Sequence, residues 1–347
     1  MGLQPGQRGG DCRARQVQRI CCAGETGGFD HTGKNAEEVN SVQNVAPFYR
    51  LFEIINQSCR GYGLDCWLGQ ANLRAGEQPC GGSITRKAGH MVEHSIKGKT
   101  VLVAGGAKNL GGLIARDLAA HGAKAIAIHY HDDDSKSEAY DTLAAVKAHG
   151  AQAVAIKGDL TSAPAMEELF ASVLAAVGWP DIAINTVGKV LKKPIVETSE
   201  EEFDEMMAVN TKAAFFFLKE AGRHVNDNGK VLTVVTSLLG AYTPFYATYE
   251  GAKAAVEHFT RAASKEFGER GISVNAIGPG PMDTPFFYGQ ESVEAQAFHR
   301  TAAALWRRSK TGLTDIEDIV PWVRMLVSDG WWMSGQTILV NGGYTTK

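Results

Sequence analysis

Seven short apolar runs alternate with longer Ala-rich runs between Lys99 and the carboxyl terminus. Runs that are rich in Val and Ile and apolar throughout are typical of strands covered on both faces, and the intervening runs are long enough for helices. This alternation predicts an α/β fold: a single doubly wound parallel sheet of Rossmann type with about seven strands and helices on both faces. The candidate strands are TVLVA (100–104), KAIAIHY (124–130), QAVAI (152–156), DIAIN (181–185), KVLTVVT (230–236), ISVNAI (272–277) and QTILV (336–340).

Several residues mark the ends of the intervening helices. Helix starts are predicted at Thr198 or Ser199 and at Thr314, because each is followed three residues later by a glutamate. Gly122 and Gly150 follow helical runs and predict C-terminal caps. The glycines and prolines from 278 to 285 predict no regular element there.

Residues 1–94 differ in character from residues 95–347. They are rich in Gly, Gln, Arg and Asn, lack sustained periodicity, and contain all six cysteines. We interpret them as an N-terminal extension, disordered or a non-native leader, since Met91 precedes the first strand as an ordinary start would. No ligand spacing supports a zinc site at His90 or His94, so no metal is predicted, and the cysteines are interpreted as unconstrained thiols.

Composition restricts the partners of the chain. With 347 residues and 44% hydrophobic content it can bury a large core, and a formal charge of -3 argues against nucleic-acid binding. No apolar run approaches the roughly 18 residues that span a bilayer, and no secretory signal is evident. We therefore expect a soluble, cytoplasmic protein that does not associate with membranes.

The segment 237–253, SLLGAYTPFYATYEGAK, brings together three groups suited to proton transfer. Tyr249 and Lys253 are four residues apart in a predicted helix, so their side chains share one face. A neighbouring ammonium favours phenolate and is expected to lower the tyrosine pKa from about 10 towards the working range of an acid/base catalyst. Ser237 follows a buried strand and is predicted to hydrogen-bond a substrate oxygen.

A glycine turn follows the first predicted strand. The segment 104–112, AGGAKNLGG, leads directly into the helical run LIARDLAAHG. A glycine turn at a helix N-terminus binds pyrophosphate through backbone N–H groups and the helix dipole. The sequence therefore predicts a nucleotide site here.

Together, the glycine turn, Ser237 and the Tyr249–Lys253 pair resemble the short-chain dehydrogenase/reductase family, and the resemblance extends from about Lys97 to Lys347. Gly105 and Gly111 match the outer glycines of the family pattern TGxxxGxG. Two positions deviate, since Ala104 replaces the Thr and Asn109 replaces the middle Gly. Because Asn tolerates left-handed backbone geometry, the turn is expected to survive.

The resemblance implies a set of cofactor-binding residues. Asp159 matches the residue that contacts adenine, INTVG (184–188) matches the family's NNAG segment, and the PG turn at Pro279 is expected near the nicotinamide. The full predicted set is Gly105, Lys108, Asn109, Leu110, Gly111, His129, Asp159, Leu160, Asn185, Gly188, Tyr249, Lys253, Pro279, Gly280 and Thr284.

The residues beside the adenosine ribose favour NADP(H) over NAD(H). His129 stands where NAD enzymes usually carry a carboxylate, and Lys108 stands where NADP-dependent relatives often carry a cation. Asp132, Asp133 and Asp134 would oppose a phosphate if they folded inward. The alternative is that Lys108 is merely a solvated loop charge.

By resemblance the chain is an NAD(P)(H)-dependent oxidoreductase that interconverts a carbonyl and a secondary alcohol. Tyr249 transfers the proton, Ser237 steadies the oxygen, Lys253 tunes Tyr249 and holds the ribose, and Asn210 connects Lys253 to solvent through a water. A buried helix Asn can also simply cap a neighbouring strand. The alternative function is a non-catalytic NADP-binding sensor or scaffold, which does not need Ser237, Tyr249 and Lys253 together.

Residues about 280–310 are expected to form a substrate lobe over this centre. Its aromatic residues favour an apolar or cyclic carbonyl or alcohol as the small-molecule substrate. Helical segments 203–225 and 249–270 match those through which relatives form a homotetramer or homodimer. The aromatic residues expected around the centre are Tyr242, Phe245, Tyr246, Phe286, Phe287, Tyr288 and Trp306.

Overall fold

The computed structural model describes residues 94–346, and these contain a seven-stranded sheet in which every pairing is parallel. The strand order is β3-β2-β1-β4-β5-β6-β7. The predicted fold class is confirmed. The strands are β1 (Thr100–Ala104), β2 (Ala125–Tyr130), β3 (Gln152–Lys157), β4 (Ile182–Asn185), β5 (Lys230–Val234), β6 (Ser273–Pro279) and β7 (Thr337–Val340).

Helices cover both faces of the sheet. The longest runs for 20 residues and carries the Tyr249–Lys253 pair. The helices of the described region are α1 (Asn109–Ala120), α2 (Lys136–Ala148), α3 (Ala163–Val177), α4 (Glu200–Met207), α5 (Ala213–His224), α6 (Ala247–Glu266), α7 (Pro285–Tyr288), α8 (Val293–Ala302) and α9 (Ile316–Leu326).

The order of the strands reverses at β1: β2 and β3 lie on one side of it, and β4 to β7 lie on the other. Val101 of β1 is in register with Ile126 of β2 on one side and with Ile182 of β4 on the other. In a doubly wound sheet the helices leave to opposite faces at such a reversal, and the carboxyl ends of the strands there open into a crevice. The fold therefore places the ends of β1, β4 and β5 around one cleft.

Two apolar cores lie on the two faces of the sheet. In β1 successive side chains alternate, so Val103 packs in one core with Ile114, while Leu102 packs in the other with Phe170 and Phe217. All five β1 residues are buried. This explains why the strands are apolar throughout rather than alternating.

The predicted helix boundaries are only partly confirmed. Ser199 forms a full capping box with Glu202, and Gly122 and Gly150 adopt positive φ angles of 87° and 84° after their helices. The prediction at Thr314 is wrong, because α9 begins after Asp315 and no side-chain cap bond forms there.

The predicted absence of regular structure from 278 to 285 is also wrong at both ends. Strand β6 continues through Pro279, where Gly278 pairs with Leu339 of β7, and α7 begins at Pro285. Pro279 is tolerated because it ends the strand, and the next N–H, that of Gly280, donates to the Val340 carbonyl at 3.2 Å.

The predictions for the N-terminal extension fall on residues that, up to position 93, lie outside the described part of the chain. Among residues 94–346, no helix combines the length and the apolar character needed to cross a membrane.

Candidate active site and cofactor groove

The glycine turn between β1 and α1 has the backbone geometry of a phosphate-binding loop. Gly105 has a φ of +77° and Asn109 a φ of +49°. Asn109 thus has the left-handed geometry that asparagine tolerates, and the turn forms without the middle glycine of the family pattern. A Cβ atom at Gly111 would lie 2.2 Å from the Gly105 carbonyl oxygen, so only glycine permits this approach of loop and helix.

His129 holds this turn in place. The Gly105 N–H donates to His129 Nδ1 at 3.2 Å, and His129 Nε2 lies 2.8 Å from the Gly158 carbonyl. The ring must therefore carry its proton on Nε2, and burial lowers the pKa of His129 to about 4. Although the ring borders the groove, both nitrogens are used inside the protein. Its ring nitrogens position the turn, and the prediction that His129 also contacts the cofactor stays a prediction.

Two threonines that sequence reasoning missed also fasten the turn. The Thr186 hydroxyl lies 2.9 Å from the Ala104 carbonyl oxygen and 3.1 Å from that of Gly105. From α2, the Thr142 hydroxyl donates to the Ala107 carbonyl at 2.7 Å. Thr186 replaces an Asn of the family pattern, and that substitution was the one available signal.

Lys108 has an acidic neighbour. Its ammonium lies 3.0 Å from the Glu138 carboxylate, and both side chains are exposed. The carboxylates expected to oppose a phosphate are engaged locally: Asp132 accepts the Ser135 N–H, and Asp133 pairs with Lys157 at 2.6 Å. The charges near the predicted ribose end are therefore largely paired among themselves.

One continuous groove runs from the glycine turn to Tyr249 and Lys253. Of the predicted cofactor-binding residues, those that line it are Gly105, Lys108, Asn109, Leu110, Gly111, His129, Asp159, Leu160, Gly188, Tyr249, Lys253 and Thr284. Asn185 is instead buried and accepts the Val187 N–H at 3.0 Å, while Pro279 and Gly280 line the adjoining pocket.

Asn210 lies in a single π-helical turn, residues 208–212, between α4 and α5. Its side chain is fully buried and contacts the backbone of Lys189 twice, accepting the N–H at 3.1 Å and donating to the carbonyl at 2.8 Å. A second donation reaches Met206 at 3.0 Å. Asn210 thus fixes the segment that follows β4, and its predicted link from Lys253 to solvent through a water stays a prediction.

Lys253 extends from α6 towards the ends of β4 and β5. Its Nζ atom lies 3.2 Å from the Val234 carbonyl oxygen and 3.4 Å from that of Val187. Burial lowers the pKa of Lys253 to about 8, because the ammonium loses its water and gains carbonyl dipoles rather than a carboxylate. A Cβ atom at Gly188 would lie 3.1 Å from both Lys253 Nζ and Asn210 Oδ1, so the three residues meet at one point.

The predicted lowering of the Tyr249 pKa is wrong. Burial raises the pKa of Tyr249 to about 12, with a side-chain hydrogen bond to Thr236 acting in the opposite direction. The expected lowering by Lys253 is not found, because that ammonium is itself desolvated and directed at backbone carbonyls. The phenol is consequently neutral at physiological pH in this structure.

Ser237 is positioned by the carboxyl-terminal segment of the chain. Its side chain is buried in the turn after β5, where Thr236 accepts the Leu238 N–H at 3.2 Å. The Thr345 hydroxyl donates to the Ser237 carbonyl at 2.8 Å. No sequence motif indicated this contact across 108 positions.

A largely apolar pocket adjoins the groove and shares five lining residues with it: Val235, Tyr249, Met282, Thr284 and Phe286. Ser237 and Tyr249 both face this pocket. Of the seven predicted aromatic residues, Tyr246, Phe286 and Phe287 line it, whereas Tyr242, Phe245, Tyr288 and Trp306 do not. Tyr242 is 98% exposed, and the Tyr288 hydroxyl is held by Asp283 and by Arg300 at 2.8 Å.

Comparisons with known proteins agree with this geometry. Residues 105–345 match the family model described as enoyl-(acyl carrier protein) reductase. The chain is 39% identical over 184 residues to a hydroxynaphthalene reductase of Aspergillus fumigatus, covering 53% of this chain and 66% of that protein. It is 32% identical to a short chain dehydrogenase/reductase of Aspergillus novofumigatus, covering 72% and 96%. A crystal structure of a putative dehydrogenase from Burkholderia cenocepacia with bound NADP is 67% identical with a TM-score of 0.73, covering 74% of this chain and 97% of that one.

Proposed function

Because the chain belongs to the short-chain dehydrogenase/reductase family, we propose that it interconverts a carbonyl and a secondary alcohol with NADP(H) as cofactor. The observation that carries this proposal is the shared position of Tyr249. It faces both the groove that begins at the glycine turn and the apolar pocket that contains Ser237. A residue in that position can exchange a proton with a substrate oxygen next to a bound nicotinamide.

The residues present fit a dinucleotide. The backbone of the glycine turn lies so close to Gly111 that a side chain at this position would clash with it. Helix α1 directs its N-terminus at the groove. When bound, the nicotinamide would supply or accept the hydride. Lys253, Thr284 and Gly188 line its end of the groove, and Asp159 and Leu160 line the part nearer the glycine turn.

In the proposed mechanism Tyr249 carries the proton. A phenol whose pKa is raised to about 12 is protonated at neutral pH, which is the form that donates to a carbonyl oxygen during reduction. Ser237 holds the same oxygen. Lys253 would hold the ribose, and Asn210 keeps the 187–189 segment against Lys253. The same groups in reverse serve alcohol oxidation.

The preference for NADP(H) rests on charge. His129 brings no carboxylate to the ribose, and Lys108 lines the groove with a partner that a phosphate can displace, because exposed ion pairs are weak. The Burkholderia relative is described with bound NADP. Both observations support NADP(H), with NAD(H) as the weaker ligand.

We also propose the substrate class and assembly predicted from the sequence. The pocket walls are mainly apolar, which suits an apolar or cyclic ketone, and one relative is named as a reductase of a hydroxynaphthalene. Phe215 of α5 is half exposed and lies 5.2 Å, between ring centroids, from Phe259 of α6. The exposed Phe215 ring, packed on the partly buried Phe259, supports a homodimer or homotetramer formed through these two helices.

The test is NADPH consumption against a panel of aryl and alicyclic ketones, with NADH run in parallel. Turnover of at least one ketone with a preference for NADPH is expected. Tight NADPH binding without consumption of any ketone would contradict the proposal and favour the sensor or scaffold function.

A further inference from the structure

A buried polar cluster forms part of the wall of the largely apolar substrate pocket. The Glu291 side chain is 1% exposed; it accepts a hydrogen bond from the Tyr246 hydroxyl and forms an ion pair with Lys192. His299 Nε2 lies 3.6 Å from the same carboxylate, and the Tyr344 hydroxyl lies 2.6 Å from His299 Nδ1. We call these five residues the polar cluster.

The polar cluster carries no net charge. Lys192 and Glu291 cancel, and burial lowers the pKa of His299, so its imidazole is neutral at physiological pH. Burial and the Glu291 carboxylate also raise the pKa of Tyr246 and that of Tyr344. The cluster therefore does not select a charged substrate.

A contribution to folding stability is a weak explanation for the presence of the polar cluster. A buried ion pair is often no more stabilising than apolar side chains of the same volume. In ligand pockets, by contrast, a few polar groups among apolar walls fix the orientation of the ligand. Four of the five residues border the pocket; Lys192 supports them from behind.

The two tyrosine hydroxyls of the polar cluster can still accept hydrogen bonds, but they have no hydrogen left to donate. The Tyr246 hydroxyl donates to Glu291. With the His299 proton assigned to Nε2, which faces the carboxylate, the Tyr344 hydroxyl donates to Nδ1. In residues 94–346 no further bond to either phenol oxygen is found, so each keeps lone pairs at the pocket wall. A group that enters between them must bring its own hydrogen.

We propose that the polar cluster receives a hydroxyl group at the end of the substrate remote from the reacting carbonyl. The Tyr246 and Tyr249 ring centroids are 6.5 Å apart, so a substrate built on one aromatic ring can contact both side chains. The substrate is then a neutral aryl or cyclic ketone with a distal hydroxyl. This inference rests on the proposed function, because it takes Tyr249 as the position of the carbonyl.

The test compares para-hydroxyphenylacetone with para-methoxyphenylacetone, in which a methyl group replaces the hydroxyl hydrogen, so that the ether cannot donate a hydrogen bond. Wild-type kcat/KM with NADPH is expected to favour the hydroxyl compound by about tenfold or more, because the ether oxygen would face two acceptors. The dissociation constants of both ketones are also measured with NADP+ bound, where no reduction occurs. If the protein binds the hydroxyl ketone more tightly but reduces neither ketone, that result would count against the proposed function. The role assigned to the polar cluster would still stand.

Tyr246→Phe and Tyr344→Phe each remove one acceptor and keep the ring. Each is expected to reduce the hydroxyl preference severalfold, both in kcat/KM and in binding. Tyr288→Phe is the matched control, because Tyr288 belongs to the same lobe but its hydroxyl bonds Asp283 and Arg300 outside the pocket, and it should keep the preference. Equal binding of the two ketones by wild type, or an unchanged preference in both pocket variants, would overturn the inference.

Discussion

The Lys108 ammonium lies 3.0 Å from the Glu138 carboxylate, so the cation proposed to select NADP(H) already has a partner. The two residues are 30 positions apart and come from the glycine turn and the first turn of α2. A phosphate dianion that enters must compete with Glu138 for the lysine.

Lys108→Ala is expected to weaken NADPH binding by roughly tenfold or more, because a charge-assisted bond to the phosphate is lost. NADH binding should hardly change. Glu138→Gln is the matched variant and should tighten NADPH binding by about two- to fivefold, since the competing charge is gone. Fluorescence titration of wild type and both variants measures the dissociation constants of NADPH and NADH, and equal losses of both cofactors in Lys108→Ala would show that the lysine is only a loop charge.

His129→Phe tests a different role in the same groove. It removes the acceptor of the Gly105 N–H in the part-buried glycine turn. NADPH and NADH binding should therefore weaken alike, by up to about tenfold, since the lost hydrogen bond contributes about 0.5–1.5 kcal/mol to holding the turn. With a pKa of about 4, wild-type His129 should leave cofactor affinity independent of its titration above about pH 5. A loss confined to NADPH would instead place His129 at the ribose phosphate.

Tyr249→Phe removes the proton donor and keeps the buried ring. Turnover should fall by at least the 10² to 10⁴ that positioned acid/base catalysis typically contributes, while NADPH binding persists. Steady-state kinetics and cofactor titration on one preparation separate the two effects. Near wild-type reduction by this variant would remove Tyr249 from the mechanism.

The buried Lys253 ammonium should make the free energy of unfolding depend on pH. Its pKa is about 8 in the folded protein and 10.5 in the unfolded chain, so below pH 8 both states are protonated and the buried ammonium destabilises the fold. Between about pH 8 and 10.5 the unfolded chain binds more protons, so stability rises with pH, by an amount on the order of 3 kcal/mol at most.

Lys253→Met supplies the comparison, because it lacks the titrating group. Lys230 also has a lowered pKa of about 8, but it is present in both proteins and cancels in the difference. Urea unfolding at about pH 7 and about pH 10 should show wild type gaining stability relative to the variant. An equal change in both proteins would mean that Lys253 keeps its ordinary pKa when folded.

Truncation before Met91 tests the proposed division of the chain. We propose that residues 95–347 form the whole oxidoreductase domain, because the sheet, the groove and the pocket are built from residues in that range. Melting temperature and NADPH affinity should be nearly unchanged. A large loss of either would assign residues 1–90 a part in the folded domain.

Local patterns in the sequence determined most of the fold and the identity of the central residues. Short Val- and Ile-rich runs specify buried parallel strands wherever helices follow, and four-residue spacing in a helix puts Tyr249 and Lys253 on one face. The left-handed geometry of Asn109 was likewise predictable, because backbone preference depends mainly on the residue itself.

The contacts, the burial and the pKa values of those residues were decided only by the tertiary structure. The partner of Lys108, the use of both nitrogens of His129 and the contact from Thr345 to Ser237 join positions 24 to 108 residues apart. The pKa of Tyr249 was predicted in the wrong direction because it depends on how much water the surrounding elements exclude, which no four-residue spacing encodes. Burial and electrostatics are properties of the whole packed domain, and so they emerge only when distant segments of the chain meet.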